Sequence, residues 1–339
     1  MSRGITDTLI IGQGLAGSLV AFMLHRNNIP FLVVDAAEAE TASTVAAGMF
    51  TPVSGKRKTI QPDTLQQIPF AIEVYQAISN LLGVPLLHLQ PVYHVFNSLA
   101  EREALHQKMN DDAFSKFIHA GQDKLPHIRQ EFGAVEINAS GWVDCAAFIT
   151  GFRRWLKQHD AWIEEAFDYS ALDLSQPQMQ YQDMRFKHII FCEGYRGADN
   201  PFFKEDRIIP CKGDVLTIEV NNLPTKHIIK KGGIYLVGLA PSLFKAGATY
   251  SWENSSIQPD GNSKKELVEK LDSLLEPKYI VKSHQTGIRP TTKNREVIAG
   301  PHEIYKNMFM FNGLGTKGVL NGPWWADQLV KKYFANPSI

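Results

Sequence analysis

The stretch from Thr6 to Asp35 constrains the fold more than any other. Thr8-Leu9-Ile10-Ile11 is a short apolar run of strand type, and Gly12-Gln13-Gly14-Leu15-Ala16-Gly17 follows it without a gap. Ser18 to Asn28 then places Leu19, Phe22, Met23 and Arg26 at three- and four-residue steps, which predicts a helix. Pro30 ends that helix, Phe31-Leu32-Val33-Val34 reads as a second strand, and Asp35 closes it. Strand, glycine turn, helix, strand and acid in this order form the dinucleotide-binding βαβ fingerprint in its required context. Gly12 allows the tight turn, Gly14 lets the backbone approach a pyrophosphate, and Gly17 lets the helix pack on the sheet. The free N–H groups and dipole at the helix start favour phosphate charge. Asp35 is placed to accept hydrogen bonds from ribose hydroxyls, and its charge would repel a 2′-phosphate. A secretory or membrane reading of Thr8 to Leu24 is disfavoured. Glycines and a glutamine interrupt the run, no small-residue cleavage site closes it, and a span wants about 18 unbroken apolar residues.

Charge narrows the function classes. Lys plus Arg and Asp plus Glu number 35 each, so no net field recruits nucleic acid or anionic lipid. Cys145, Cys192 and Cys211 lie far apart and form no CxxC pair. This suits reduced thiols and a cytoplasmic location, and it gives no metal site. The eleven histidines show no ligand spacing.

Further along, the apolar loop from Ala36 to Ala47 leads into Gly48-Met49-Phe50-Thr51-Pro52. Its small residues leave room for a flat or bulky group. Helices are expected over Thr64 to Leu82, Leu99 to Ala120, Cys145 to Gln158 with Asp144 as cap, Ser263 to Leu275 with a Ser263–Glu266 capping box, and Val319 to Tyr333. Val84 to Asn97 reads as extended. Strands are expected at Trp162-Ile163, Phe186 to Cys192 and Met308 to Phe311. Val215–Val220, Lys226–Lys230, Ile234–Val237 and Ala246–Tyr250 follow one another as a β-meander. A βαβ start, a β-rich middle and a glycine turn near the end imply an α/β chain whose two domains interleave. Residues 1–82, 142–207 and 286–339 would form a Rossmann-like cofactor domain. Residues 83–141 and 208–285 would form a mostly antiparallel substrate domain.

Two late motifs complete the pattern: Gly287-Ile288-Arg289-Pro290-Thr291-Thr292, and Phe311-Asn312-Gly313-Leu314-Gly315-Thr316-Lys317-Gly318-Val319. With the fingerprint and Ala46-Ala47-Gly48-Met49, they make nearly the whole chain resemble the D-amino-acid-oxidase-like FAD-dependent oxidoreductases. The resemblance implies that Gly12, Gly14, Leu15, Ala16 and Gly17 hold the FAD pyrophosphate, and Asp35 with Ala36 the adenosine ribose. Ala42, Ser43, Ala47, Gly48 and Met49 fall where the family wraps its flavin. Tyr169 falls where a backbone contacts adenine. Gly194 falls in a second FAD contact, with Glu193 in place of the usual small residue. Gly315, Thr316, Lys317, Gly318, Val319 and Leu320 would lie along the flavin's pyrimidine edge.

The resemblance further implies that Arg289 grips a substrate carboxylate with its planar fork, a geometry suited to bidentate pairing. Tyr235 would add a hydroxyl donor, Lys317 would touch substrate or flavin, and Met49 and Tyr250 would wall the pocket. The implied reaction is dehydrogenation of a small amine or amino acid, with hydride passing from the α-carbon to flavin N5 and an imine released. Oxygen or a quinone would accept the electrons. Oxidation of a modified tRNA base, or a flavin-binding protein without catalysis, are the alternatives. No cysteine lies in the C-terminal third, where flavinylated relatives carry theirs, so the FAD is expected to be non-covalent. The purified protein should therefore be yellow, and acid precipitation should release the flavin into the supernatant. Flavin retained in the pellet would show a covalent link.

Overall fold

A computed structural model describes residues 6–335 apart from 56, 122–123, 176–177, 205–207 and 254–255. Strands Thr6–Ile11 and Phe31–Asp35 pair in parallel and are joined by helix Leu15–Arg26. The helix starts three residues earlier than periodicity suggests, because the glycine turn itself supplies its first residues. Met184–Phe191 pairs with the inner side of Thr6–Ile11, and Met308–Asn312 pairs beyond it. Trp162–Glu164 lies outside Phe31–Asp35. These five strands are parallel, which leaves their cores covered on both faces and their sequences almost wholly apolar. Ile298–Pro301, Met179–Tyr181 and Leu172–Asp173 extend the sheet in antiparallel fashion. All the parallel strands end on one edge. Gly12, Ala36, the Cys192–Gly194 turn and Gly313 therefore gather in the crevice outside the carboxyl ends, where open α/β sheets bind ligands.

The glycines of the first turn are required by contact. Gly12 has φ +95°, and a Cβ there would stand 2.6 Å from the Cys192 carbonyl oxygen. A Cβ at Gly17 would stand 1.9 Å from the Gly12 carbonyl oxygen. Turn, helix and neighbouring strand thus meet backbone to backbone.

A second eight-stranded sheet roofs this layer. Its order is Ile280–Thr292, Ile208–Glu219, Leu243–Gly247, Ile234–Ala240, Ile228–Lys231, Val92–Val95, Ala134–Ile137 and Ile118–Ala120. Every pair is antiparallel except Ile228–Lys231 with Val92–Val95. One face packs Leu216, Ile218, Leu236 and Phe244 on helix Gly261–Leu274 through Leu267 and Leu271. Residues of the opposite face, Val215, Tyr235, Val237 and Ile228, pack with Val45, Ala47 and Met49 from the first layer. Strand Ile280–Thr292 runs unbroken through the boundary placed between 285 and 286.

Three local expectations are corrected. The helix from Leu99 stops at Lys108. Asp111 then caps a separate turn, Asp112–Ser115, and Ile118–Ala120 is a strand that buries Ile118. The helix expected from Ser263 begins at Gly261, capped by Asp260, whose carboxylate accepts from the Asn262 and Ser263 N–H groups. The loop from Ala36 contains a one-turn helix, Ala42–Val45, closed by a Thr41–Thr44 capping box. Asp144 does cap Cys145–Gln158, through the Ala147 N–H at 2.9 Å. The closing helix spans Gly318–Val330 and widens into a looser turn over Lys331–Ala335.

Gly17→Ala is expected to cost about 1–3 kcal/mol, the usual penalty for forcing atoms into a filled space. Gly261→Ala, whose added Cβ meets open space, should stay within about 0.5 kcal/mol. Urea unfolding midpoints of the two variants would check this.

Candidate active site

The helix at Leu15 begins with N–H groups that no side chain of its own cap satisfies, and no acidic residue lies in its first turn. The Leu15 N–H donates to Ser43 Oγ at 2.9 Å, which ties the one-turn helix Ala42–Val45 to the glycine turn. Asp35 is held in place from three sides. Its Oδ2 accepts from the Gln13 N–H and its Oδ1 from the Ala37 N–H, both at 2.7 Å, and Arg153 lies 3.5 Å from Oδ1. Arg153 also donates to the Gln13 side chain and stacks over Trp162. The buried Gln13 amide in turn donates to Ser18 Oγ and the Ile149 carbonyl. The fingerprint acid is therefore oriented by a fixed network before any ligand arrives.

The second turn is built around Asn312. Its side chain donates to the Gly194 carbonyl at 2.9 Å and accepts from the Gly313 N–H at 2.9 Å. One buried amide thus joins the Gly194 turn to the Gly313–Gly318 turn. Glu193, the residue that departs from the family pattern, points inward: it accepts from the Tyr169 hydroxyl and from Asn200 Nδ2. Burial raises its pKa, and burial with the adjacent Glu193 charge raises that of Tyr169. The Gly48 segment is pinned likewise, since the Val143 N–H donates to the Gly48 carbonyl, and Gly48 has φ +66° with no room for a Cβ beside Val143.

Arg289 lies on strand Ile280–Thr292, directly opposite Cys211. Its guanidinium lies over Gly213, where a Cβ would stand 2.2 Å away, and 4.6 Å from the centre of the Tyr250 ring. Nη1 reaches the carbonyls of Lys212 and Thr249 at 3.4 and 3.3 Å. Burial raises the pKa of the Cys211 thiol opposite, and the charge of Arg289 and a hydrogen bond with it oppose the rise. No carboxylate pairs with the guanidinium among the described residues. Val215, two residues on from Gly213, is opposite Gly247, which is opposite Tyr235. Gly247 admits the Tyr235 hydroxyl, 2.8 Å from where its Cβ would be. That hydroxyl has no hydrogen-bond partner among the described residues. Burial raises its pKa, the Arg289 charge opposes the rise, and the group remains a protonated donor. Arg289, Tyr235 and Tyr250 are thus brought together. Met49 is half-buried against the same roof face. Lys317 is the cap residue of the closing helix, and partial burial, then the Arg295 charge, lowers its pKa.

Several supporting groups escape sequence reasoning. Lys245, buried, donates to the Val45 and Ala46 carbonyls at 3.1 and 3.3 Å and so holds the end of the one-turn helix. Its only signal is a lysine at an inward position of an apolar strand. Asp214, with no solvent exposure, accepts from Thr286 Oγ1 at 2.6 Å and lies 2.8 Å from His284 Nε2. Its own N–H donates to Thr249 Oγ1, which fixes the segment whose carbonyl faces Arg289. The fully buried Lys212 donates to the Gln258 carbonyl and anchors the chain beyond Tyr250. Gly287 packs against Ala42, leaving 3.0 Å for a Cβ. The arginine motif is thereby set against the Ala42 segment.

Residues 7–332 match the family model described as FAD dependent oxidoreductase. The chain belongs to this family. FAD-dependent oxidoreductases of this kind are enzymes that carry FAD, and the present chain shares their fold. It superposes on glycine oxidase from Bacillus cereus with a TM-score of 0.83 at 19% identity, covering 96% of this chain and 94% of that one. Iminodiacetate oxidase from a Chelativorans species gives 0.81 at 18% identity, covering 98% and 96%. A tRNA 5-methylaminomethyl-2-thiouridine biosynthesis bifunctional protein from Marinobacter nauticus is 20% identical over 99% of this chain. The chain spans 56% of the length of that curated relative.

The residues present fit FAD. Two helix starts, at Leu15 and Gly318, lack side-chain caps and first-turn acids, and so offer N–H groups to anionic or carbonyl oxygens. Asn321 Oδ1 and Thr51 Oγ1 are buried without a partner among the described residues, on the closing helix and just after Met49–Phe50. These two elements pack together. No described helix is long and apolar enough to cross a membrane. Asp35→Ala removes the acceptor of two backbone N–H groups and the ribose acceptor expected from the fingerprint. It should weaken FAD binding by about 1.5–3 kcal/mol, on the order of 10- to 150-fold in Kd, and lower the apoprotein melting temperature. Fluorescence titration of FAD and a thermal melt of apoprotein would check both.

Proposed function

We propose that this FAD-dependent oxidoreductase dehydrogenates a small amine or amino acid that carries a carboxylate beside the reacting carbon. The observation that carries the reading is Arg289, a guanidinium with no carboxylate partner among the described residues, beside a Tyr235 hydroxyl that has no hydrogen-bond partner among them. FAD, when bound, supplies the two-electron oxidation. The protein's part is to bind and orient. The guanidinium fork takes both carboxylate oxygens, the Tyr235 hydroxyl donates a third hydrogen bond, and Tyr250 keeps the guanidinium in place by stacking. Pro290 accepts from the Gly315 N–H at 2.9 Å, which supports a fixed spacing between the carboxylate anchor and the glycine turn of the cofactor. Met49 and Tyr250 serve as pocket walls, and Lys317 serves at the rim. The first sheet and its helices form the cofactor unit and the second sheet the roof, with non-covalent FAD between them. Oxygen or a quinone takes the electrons onward.

The curated relative favours a second reading, oxidation of an amine on a modified tRNA base. The equal count of basic and acidic residues supplies no net attraction for RNA.

Anaerobic mixing with glycine, sarcosine, proline and D-amino acids should bleach the flavin with at least one of them, and benzoate or glycolate should perturb its spectrum. Bleaching only by neutral amines would remove the role given to Arg289. Arg289→Lys keeps the charge but loses the fork, so it should weaken substrate binding and slow flavin reduction. A misplacement of about 1 Å costs on the order of a hundredfold in rate. Tyr235→Phe should cost about 0.5–1.5 kcal/mol, the worth of one neutral hydrogen bond. Rapid-reaction reduction of each variant measures these effects. A wild-type rate for Arg289→Lys would make the arginine structural.

A further inference from the structure

Arg289 rests on a thiol. Cys211 is its direct partner in the pairing of Ile208–Glu219 with Ile280–Thr292, and residues so paired share a face with Cβ atoms about 4.5–5.5 Å apart. Cys211 is fully buried. Its sulfur accepts a hydrogen bond from the guanidinium. Its S–H lies 3.9 Å from the Lys212 carbonyl, which also accepts from Arg289 Nη1 at 3.4 Å. Guanidinium, thiol and carbonyl close a small triangle on the strand, and the Tyr250 ring stacks on the guanidinium. The Tyr235 hydroxyl lies near enough for the Arg289 charge to act on it.

The acceptor at this place decides how much of the Arg289 charge is left over. An aspartate would pair with the guanidinium and cancel it. An apolar side chain would leave a buried N–H without an acceptor. A neutral thiol is a weak acceptor, so it orients the fork and leaves the charge whole. Burial keeps the thiol protonated at neutral pH by raising its pKa, while the Arg289 charge and hydrogen bond pull the other way. The neighbouring charged groups are engaged elsewhere. Lys212 and Asp214 alternate to the opposite face, where Lys212 donates to the Gln258 carbonyl and Asp214 meets Thr286 and His284. On the short helix Gly194–Asp199, Arg196 pairs with Glu38 and lies against Tyr195, and Asp199 acts on Tyr169.

We propose that Cys211 is a positioning residue of the substrate anchor, a neutral seat that holds the Arg289 fork toward a carboxylate without neutralising it. This rests on the carboxylate-binding reading given above. When the thiol loses its proton, thiolate and guanidinium become an internal ion pair, and a substrate carboxylate must compete with it. By linkage, an anion held on Arg289 raises the thiol pKa in turn. The anchor is open while the thiol is protonated and closes as pH rises through the thiol pKa, which lies above the ordinary thiol value.

Benzoate, a carboxylate that stays ionised throughout, is titrated against the flavin absorbance of the holoenzyme from about pH 7 to 10.5. At neutral pH, Cys211→Val should weaken benzoate binding about tenfold and Cys211→Asp at least about a hundredfold. Cys211→Ser, which keeps a neutral acceptor, should restore most of the binding. In the wild type the benzoate Kd should climb at alkaline pH, by up to about tenfold per pH unit for one proton. In Cys211→Ser that climb should be absent, a difference that a purely structural cysteine would not produce. Benzoate binding in Cys211→Val equal to wild type, or an alkaline climb that persists in Cys211→Ser, would overturn the proposal. If Cys211→Asp does not retain FAD, the Val and Ser variants decide. If neither benzoate nor any amine alters the wild-type flavin, the carboxylate reading fails on its own. The seat is then read from the thiol: at one alkaline pH, the ultraviolet thiolate absorbance that Cys211→Ser removes should be several-fold smaller in Arg289→Met than in the wild type. Equal absorbance would overturn it.

Discussion

Everything in this molecule hangs on one close approach, where the Gly12 carbonyl meets Gly17 and the Gly12 backbone meets the end of strand Met184–Phe191. No side chain fits at either crossing. The absence of side chains lets helix Leu15–Arg26 sit low on the sheet, with its free N–H groups level with the strand ends. Had the helix started higher, Ser43 would not reach the Leu15 N–H, and the one-turn helix that Lys245 holds from the roof would have no footing. The contact between the two layers is in this sense a consequence of the first turn.

The layers are then locked by polar groups that each serve two elements. Asn312 joins two turns, Gln13 joins the first helix to Cys145–Gln158, and buried Asp214 ties Thr286 and His284 of one strand to the Asp260 N–H through its carboxylate and to Thr249 through its own N–H. Buried groups of this kind contribute stability only when every donor and acceptor is matched, because an unmatched one costs more than a matched one contributes. Asp214 and Asn312 meet that condition from within the protein. Asn321, Thr51 and Tyr235 do not among the described residues, and they lie on the elements that bound the crevice and the face above it.

What the sequence made legible follows from how local each signal is. The first βαβ unit, the Gly-x-Arg-Pro turn and the Gly313–Gly318 turn are written in consecutive residues, since each depends on a backbone conformation that only certain residues allow. The Asp144 cap was readable for the same reason. The helix expected from Leu99 to Ala120 was not, because a polar-faced periodicity gives no warning that Asp111 will cap a new turn and Ile118 will leave for a sheet. The roof was the least legible part. Lys230, Tyr235, Lys245 and His94 come from three stretches of chain, and only the strand order brings them to one face. Alternation tells which residues of a strand point the same way but not which strand lies next to it.

Strand Ile280–Thr292 has one further implication. It carries Gly287 against the cofactor-side helix, Arg289 beneath the roof, and Pro290 on the glycine turn at Gly315. A single extended segment therefore acts as a ruler whose marks cannot move independently. Selection has little freedom to shift Arg289, because any shift would disturb the packing at Gly287 and the Gly315 turn at the same time. The freedom lies in the strands alongside, where residues such as Tyr235 can be exchanged without moving the ruler. Divergence of a chain like this should therefore proceed by repainting the wall beside a fixed strand.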